Sequence, residues 1–231
     1  MTRFDWSKLV SDIELLSKVD CYEKVNKVMS LGSVSRLRRR AASLVVGKSN
    51  IIVDAGAGPG SSSEAIRSIS QDPLIILVDP STAMLDIASK RIPNSVGLAG
   101  IFENMPLADS TADAIVAMFS FRDAVDYYKA LDEFVRILKP NGRVAILDIY
   151  RPSNLLARIL VKFYIMVMVP LGLLLNRCPV KIETYKSFLA SIDRMLGIKE
   201  LKRELEKRFR RVEVWRIILG VAIFYAEGPR K

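Results

Sequence analysis

The stretch that decides the fold is Ile51-Ile52-Val53-Asp54-Ala55-Gly56-Ala57-Gly58-Pro59-Gly60-Ser61. Its short β-branched run predicts a buried parallel strand, and an acid and three alternating glycines follow. Glycines let the backbone turn sharply and approach a ligand without a Cβ in the way, while Pro59 and Ser61 suit the start of a helix. This strand, loop and helix predict a site for a nucleotide-like ligand.

The spacing of the glycines bears on which ligand the loop holds. A dinucleotide fingerprint has its third glycine one residue later, where this chain has Ser61. S-adenosylmethionine lacks a phosphate but carries an ammonium and a carboxylate, so Asp54 can take the ammonium directly or through water. The spacing favours this methyl donor over a dinucleotide, and a tight turn with only a structural role is the remaining alternative.

A second buried-strand run, Leu74-Ile75-Ile76-Leu77-Val78-Asp79, also ends in an acid. It lies about twenty residues beyond the loop, where an acid is placed to bond the ribose hydroxyls. Asp79 is therefore the predicted ribose ligand. Its alternative role is to cap the helix that begins near Pro80 and Ser81.

The composition narrows the classes of site that the chain can hold. At 231 residues the chain is long enough for one well-buried domain with additions, and it contains no histidine. Histidine bases and histidine metal sites are thereby excluded. Cys21 and Cys178 are far apart, so we expect a reducing compartment and no metal site. Acids among the first apolar residues argue against a signal peptide, which favours a cytoplasmic location.

The formal net charge of +10 is concentrated in two basic runs, at 36–40 and 199–211. The second run also contains glutamates, which predicts an ion-paired, solvated helix face. The first is either a solvated face or a contact with an anionic surface. It holds no aromatic residues for base stacking, which counts against a nucleic-acid partner.

The order of the predicted elements indicates an α/β fold. Residues 1–48 form a helical cap, in which Tyr22 is predicted to lie over the donor, and 49–150 alternate strands with helices as in a parallel sheet covered on both faces. The predicted elements include a strand at 113–120, a helix at 124–138 and a strand at 144–149. Ligands bind beyond the carboxyl ends of such strands, which brings together Asp54, Asp79, 101–103, 120–123 and 148–150.

Residues 151–197 depart from this alternation and form a predicted apolar insertion. The run 155–175 is interrupted by Arg158 and Lys162, and its longest uncharged part is too short to span a bilayer as a helix. The functional alternatives are a lipid-facing lid, a peripheral membrane contact and a wall of an apolar substrate pocket; the structural ones are a core helix and a homodimer contact. Residues 198–231 predict a charged helix and a hairpin of 212–219 and 221–226 that turns at Gly220.

These residues resemble a known family, the class I S-adenosylmethionine-dependent methyltransferases, and within it the ubiquinone/menaquinone biosynthesis C-methyltransferases. The class resemblance rests on 53–60 and on 78–85. The narrower one rests on 22–32, 103–109, 119–123, 129–143 and 185–192. The resemblance covers nearly the whole chain and is weakest through the apolar insertion.

The resemblance implies a Rossmann-like, mostly parallel seven-stranded sheet whose last strand is antiparallel. It also implies methyl transfer from S-adenosyl-L-methionine to a ring carbon of a prenylated quinol, a lipid-soluble substrate. A chain of this kind would work in the cytoplasm at the inner face of the membrane, as a single domain over 1–231. The complete predicted donor site is Asp54, Gly56, Gly58, Gly60, Asp79, Pro80, Met84, Phe102, Glu103, Ser120 and Tyr22.

Three departures from the family pattern concern the adenine and acceptor ends of the site. Ile101 stands where the family carries an acid for adenine, so backbone groups or Glu103 take that role. The family's arginine-asparagine pair is Arg122-Asp123 here, and Tyr225 replaces a late histidine. The donor site is therefore expected to follow the family more closely than the acceptor site.

Carbon methylation of a quinol requires loss of a phenolic proton, and no histidine can accept it. The candidate bases are Asp123 and Asp148, with Arg122 and Tyr150 orienting the ring or stabilising the phenolate. Asp123 could instead cap the helix that follows it. Two alternative functions remain: methylation of another lipid, a small molecule or an RNA base, and a non-catalytic donor-binding subunit.

Overall fold

The computed structural model describes residues 24, 30, 32–152, 154–168, 170, 171, 174, 182–217 and 220–231. Within these residues lie seven strands, namely β1 (Ile51–Ala55), β2 (Leu74–Asp79), β3 (Ser95–Ala99), β4 (Ala112–Met118), β5 (Leu138–Ile149), β6 (Phe209–Arg216) and β7 (Val221–Pro229). The same residues form helices α1 (Val34–Ser43), α2 (Ser61–Arg67), α3 (Thr82–Arg91), α4 (Tyr127–Ile137), α5 (Leu155–Phe163), α6 (Ile182–Arg194) and α7 (Ile198–Arg208).

The seven strands form one sheet in the order β3-β2-β1-β4-β5-β7-β6. Strands β1 to β5 pair in parallel, and β7 is antiparallel to both β5 and β6. The predicted mostly parallel sheet with an antiparallel last strand is confirmed. So is the terminal hairpin, which turns at Gly220 with φ of +81°. The carboxyl ends of β1, β2, β4 and β5 therefore meet at one edge of the sheet.

Both faces of the sheet are buried. One hydrophobic cluster packs α4 and α7 against the sheet and includes Val53 and Phe134. The other packs α1, α2 and α3 against the opposite face and includes Ile52, the neighbour of Val53 in β1. Because successive side chains of a strand point to opposite faces, burial of both explains why the central strands are continuous apolar runs.

The starts of α4 and β5 differ from their predicted positions. The helix predicted at 124–138 begins at Tyr127, because a 3₁₀ turn occupies Phe121–Asp123 and the Asp126 carboxylate caps the helix. The strand predicted at 144–149 begins at Leu138, directly after α4. Residues Pro140, Asn141 and Gly142, which are typical of turns, lie in an irregular part of β5, where its pairing with β4 shifts register between Ala112 and Ala114.

The apolar insertion continues from α5 into a π-helical turn, Tyr164–Met168. Val161 and Ile165 are buried, whereas most of the other large apolar side chains of this segment are exposed. The exposed set is Leu155, Leu156, Ile159, Leu160, Phe163, Met166, Val167, Met168, Leu171 and Leu174. None of the helices in the described residues is long and apolar enough to cross a membrane. Most of the predicted cap at 1–48, including Tyr22, lies outside the described residues.

Candidate functional site

The glycine loop between β1 and α2 has the backbone that its sequence predicts. Gly56, Gly58 and Gly60 have φ values of 68°, 51° and 88°, in the left-handed region that side chains disfavour. The N–H groups of Gly56 and Ala57 both donate to the Val78 carbonyl, at 2.8 and 3.1 Å. A Cβ on Gly56 would lie 2.6 Å from Ser120 Cβ. Only glycine therefore fits at this contact.

Asp54 lies in β1 beneath the loop and is fully buried. Its Oδ2 accepts a hydrogen bond of 2.6 Å from the Ser63 hydroxyl of α2, while its Oδ1 has no partner among the described residues. Burial raises the pKa of this carboxyl to about 6, with Ser63 and the charge of Arg38 opposing the rise. A buried carboxylate oxygen without a partner is costly. The Oδ1 atom is therefore suited to a cationic ligand group.

Asp79, at the end of β2, holds the loop through its carboxylate. Oδ2 accepts from the Gly58 N–H at 2.8 Å, and Oδ1 accepts from the Ser81 N–H at 2.9 Å. The cap of α3 itself is Ser81, whose hydroxyl accepts from the Met84 N–H. Pro80 is exposed at this edge, whereas Met84 is fully buried and presents no surface to a ligand.

Phe102 and Glu103 follow β3 and face the start of α4. Phe102 packs edge-on against Phe121, with ring centroids 5.8 Å apart. Glu103 Oε1 accepts from the N–H groups of Val125 and Asp126, at 2.7 and 2.9 Å, and its buried Oε2 has no partner among the described residues. Glu103 thus combines a structural contact with one buried oxygen that the described residues leave without a partner.

Arg122 and Asp148 form the centre of the predicted acceptor end. Asp148 is fully buried and accepts from the Arg122 N–H at 2.9 Å, from the Arg122 guanidinium at 3.1 Å and from the Ile149 N–H at 2.8 Å. The guanidinium carbon of Arg122 lies 4.8 Å from the ring centroid of Phe188. Asp148 therefore fixes the 3₁₀ turn and the orientation of Arg122.

Asp123 has an environment different from that of Asp148. Its carboxylate lies 3.6 Å from the Arg122 guanidinium, and its side chain retains 15% exposure. Burial raises its pKa to about 6, and the nearby Asp148 adds to the rise, while Arg122 and Arg194 oppose it. A carboxyl with a pKa in this range can accept a proton near neutral pH. The alternative role predicted for Asp123, as the cap of the following helix, is wrong, because α4 is capped by Asp126.

Tyr150, the fourth predicted acceptor residue, is fully buried. Its ring packs on Phe224 with centroids 4.9 Å apart, and its hydroxyl has no hydrogen-bond partner among the described residues. Burial raises the pKa of this phenol well above its ordinary value, and the charge of Asp148 adds to the rise. In this arrangement its hydroxyl is not exposed to an incoming ring.

Sequence reasoning missed several side chains of this region. Arg194 and Tyr127 both donate to the Arg122 carbonyl, at 3.2 and 2.9 Å. The sequence predicts that the whole basic run at 36–40 lies at the surface. Arg38 is instead buried, while its neighbours Arg39 and Arg40 are exposed. Its place on the buried side of α1, with Val34, Ala41 and Ala42, was the available signal.

A model of the ubiE/COQ5 methyltransferase family matches residues 8–226. A demethylmenaquinone methyltransferase of Paenarthrobacter aurescens is 36% identical over 64% of this chain and 58% of its own length. One from Thermotoga maritima is 30% identical over 58% of each chain. The chain therefore matches less than two thirds of the length of either relative.

A solved structure of an S-adenosylmethionine-dependent methyltransferase from Thermotoga maritima has the same fold. It superimposes with a TM-score of 0.68 at 19% identity, and the superposition covers 94% of this chain and 99% of the other. At that identity the likeness concerns the fold alone.

Proposed function

This chain belongs to the ubiE/COQ5 methyltransferase family, and we propose that it transfers a methyl group from S-adenosyl-L-methionine to a ring carbon of a prenylated quinol or a related lipid-soluble ring. The observation that carries the proposal is the buried Oδ1 of Asp54, which has no partner among the described residues and lies beside a loop of left-handed glycines. An ammonium group there would satisfy the oxygen and compensate the buried charge. Asp79, at the neighbouring strand end, is the proposed ribose ligand.

The adenine is proposed to lie near Phe102 and Glu103. The Glu103 Oε2 is buried and without a partner in the described part of the chain, so it can accept from an adenine amino group. Phe102 and Ser120 also fill the space that a Cβ on Gly56 would need, so this region adjoins the glycine loop. Glu103 thereby takes the role that the family's usual acid would have at Ile101.

The acceptor is proposed to bind at Arg122 and Asp123. Asp123 accepts the phenolic proton, and Arg122 stabilises the phenolate while Asp148 and the Phe188 ring hold its guanidinium in place. The donor would supply an electrophilic methyl group: a bond would form between the ring carbon and the methyl carbon, and the bond from that methyl carbon to the donor sulfur would break with its electron pair left on sulfur. The ring-carbon proton would then pass to water, which restores the aromatic ring as a phenolate, and Asp123 would return its proton to the phenolate oxygen. Tyr150 is assigned to the wall behind this site.

Substitution of the two acids separates a base from a positioning residue. We expect Asp123→Asn to lower kcat by about 100-fold or more, and to remove the fall in activity of the parent enzyme as pH drops below about 6. Asp148→Asn should lower activity through misplacement of Arg122 but keep the fall in activity below about pH 6, the acid limb of the profile. The measurement is kcat against pH at saturating donor. Retention of both kcat and the acid limb by Asp123→Asn would exclude it as the base.

The exposed apolar side chains of α5 and the following turn are proposed to contact the membrane that holds the substrate. They lie on a segment that also carries Arg158 and Lys162, and the chain has a net charge of +10, which favours an anionic lipid surface. Lys162 pairs with Asp193 of α6 at 2.8 Å, which connects this segment to the helix beside Arg122. Contact there would bring the acceptor site to the bilayer at its inner face.

Vesicle binding tests this contact directly. Leu156 and Leu160 are 67% and 51% exposed, and we expect Leu156→Asp/Leu160→Asp to reduce co-sedimentation with phosphatidylglycerol vesicles at least about tenfold. Ile69→Asp, at an exposed apolar position after α2, is the matched control and should bind like the parent protein. Equal binding by both variants would contradict the membrane contact. A dimer that dissociates only in the double variant would assign this surface to a second copy instead.

Methyl transfer from labelled donor tests the function as a whole. The protein is incubated with methyl-labelled S-adenosylmethionine and a reduced total lipid extract, and the organic phase is analysed by mass spectrometry. Label in a quinone is the expected result. Label in another lipid would replace the proposed acceptor, and donor binding without any labelled lipid would favour the non-catalytic alternative.

A further inference from the structure

Arg38 is a buried cation in a position that helix packing alone does not explain. It retains only 4% exposure, on the side of α1 that packs on the sheet with Val34, Ala41 and Ala42. Its Nε has no hydrogen-bond partner among the described residues. Arginine is almost never fully buried unless it is paired, because an uncompensated buried charge is costly. This position is therefore suited to an anionic ligand group.

The surroundings place Arg38 at the donor end of the site. Its guanidinium carbon lies 5.6 Å from the ring centroid of Phe119, directly after β4. The next residue, Ser120, donates to the Ala55 carbonyl at 2.9 Å, and its Cβ is the atom that a Cβ added at Gly56 would approach most closely. The guanidinium is thus adjacent to the residues that contact the glycine loop.

Arg38 and Asp54 are close enough for their charges to interact, but no hydrogen bond between them is found in the described residues. The charge of Arg38 lowers the pKa of Asp54, whereas the hydrogen bond to that carboxylate comes from Ser63. Within the part of the chain that the structure describes, each group has a buried polar atom without a partner, Nε on Arg38 and Oδ1 on Asp54. An α-amino acid carries the two complementary charges close together, an ammonium for Asp54 and a carboxylate for Arg38.

We propose that Arg38 binds the α-carboxylate of the donor's methionine moiety, so that Arg38 and Asp54 together select ligands with an intact amino-acid group. This assignment rests on the proposed donor binding and adds to it a residue and a selectivity. Arginine suits the role because its planar guanidinium can donate two parallel hydrogen bonds to a carboxylate. The same pair would disfavour adenosine-containing ligands that lack the carboxylate.

A thermodynamic cycle with two ligands tests the assignment. S-adenosylhomocysteine and its decarboxylated analogue, S-adenosyl-3-thiopropylamine, differ only in the carboxylate, so the ratio of their Kd values measures that group alone. By calorimetry we expect the parent protein to bind the decarboxylated ligand about 10- to 100-fold more weakly. In Arg38→Gln the ratio should fall to about one, because only the affinity for the carboxylate ligand drops.

Two further variants keep the outcome interpretable. Arg39→Gln removes an exposed neighbouring charge and should retain the parent ratio. Arg38→Lys keeps a charge in the site if Arg38→Gln does not fold, and its ratio should lie between those of the parent and one. Equal binding of both ligands by the parent protein, or an unchanged ratio in the variant, would overturn the assignment of Arg38 alone. Failure of the parent to bind S-adenosylhomocysteine would overturn donor binding itself.

Discussion

Replacing Asp54 with asparagine is expected to weaken binding of S-adenosylhomocysteine by about 100-fold or more near neutral pH. Asparagine keeps the shape and can keep the hydrogen bond from Ser63, but it removes the negative charge that is proposed to pair with the ligand ammonium. Removing one partner of a buried ion pair leaves the other uncompensated, which costs about 3–5 kcal/mol. The measurement is calorimetric titration, with Asp86→Asn as a control at an exposed carboxylate of α3.

The same substitution should remove a pH dependence of binding. In the free protein the pKa of Asp54 is about 6, so the carboxyl becomes protonated below that pH and cannot pair with the ammonium. The parent protein should therefore lose affinity about tenfold per pH unit below pH 6, and Asp54→Asn should show no such loss. An identical pH profile in the two proteins would contradict the role of Asp54.

Asp54 should also make the free energy of unfolding depend on pH, in the direction opposite to that of a salt-bridged acid. Because the folded-state pKa is raised above the unfolded value of 3.8, the folded protein holds the proton more tightly. The contribution of Asp54 to the free energy of unfolding, without ligand, should therefore be greatest below about pH 4 and fall by up to about 3 kcal/mol as pH rises through 6. Urea unfolding at a series of pH values should show that Asp54→Asn removes this contribution to the pH dependence. The similar contribution of Asp123, whose pKa is also about 6, should remain.

Substitution of Gly56 by alanine is expected to abolish measurable donor binding and to destabilise the fold. The added Cβ would lie 2.6 Å from Ser120 Cβ and 2.9 Å from Phe102 Cζ, and φ at this residue is +68°. Overpacking and left-handed strain each cost about 1–3 kcal/mol. Relief of the clash would move the loop that Asp79 holds and the residues assigned to adenine. We expect a loss of about 3 kcal/mol in the free energy of unfolding.

A matched set of variants separates local strain from general damage. A Cβ added at Gly47 would have no neighbouring atom within 4 Å, and φ there is not left-handed, so Gly47→Ala should leave binding and stability near those of the parent. Adding Ser120→Gly to Gly56→Ala removes the closest contact and should recover part of both losses. Normal ligand affinity in Gly56→Ala would show that the loop does not lie against the donor.

The parts of the fold that followed from the sequence are those set by local pattern. The apolar runs of β1 and β2 and the acids at their ends identify a parallel sheet with a ligand edge, because burial on both faces leaves a continuous hydrophobic signal. Gly220 identifies the hairpin for the same local reason, since its φ of +81° favours glycine.

The parts that did not follow depend on contacts between distant segments. The start of α4 is delayed because Asp148, far along the chain, bonds the N–H of Arg122 and stabilises a separate turn. The early start of β5 depends on its pairing with β4 across a register shift. Asp148 and Asp123 looked equivalent in sequence, whereas in the structure Asp148 is fully buried and accepts from three donor groups, and Asp123 keeps 15% exposure.

The most direct test of the proposed activity is methyl transfer in a defined membrane. Reduced demethylmenaquinone is incorporated into phosphatidylglycerol vesicles, and the product formed from ¹³C-methyl S-adenosylmethionine is examined by NMR. We expect a new methyl group on a ring carbon, with S-adenosylhomocysteine formed in equal amount. A methyl group on a phenolic oxygen, or no lipid product from protein that binds S-adenosylhomocysteine, would contradict carbon methylation of a quinol.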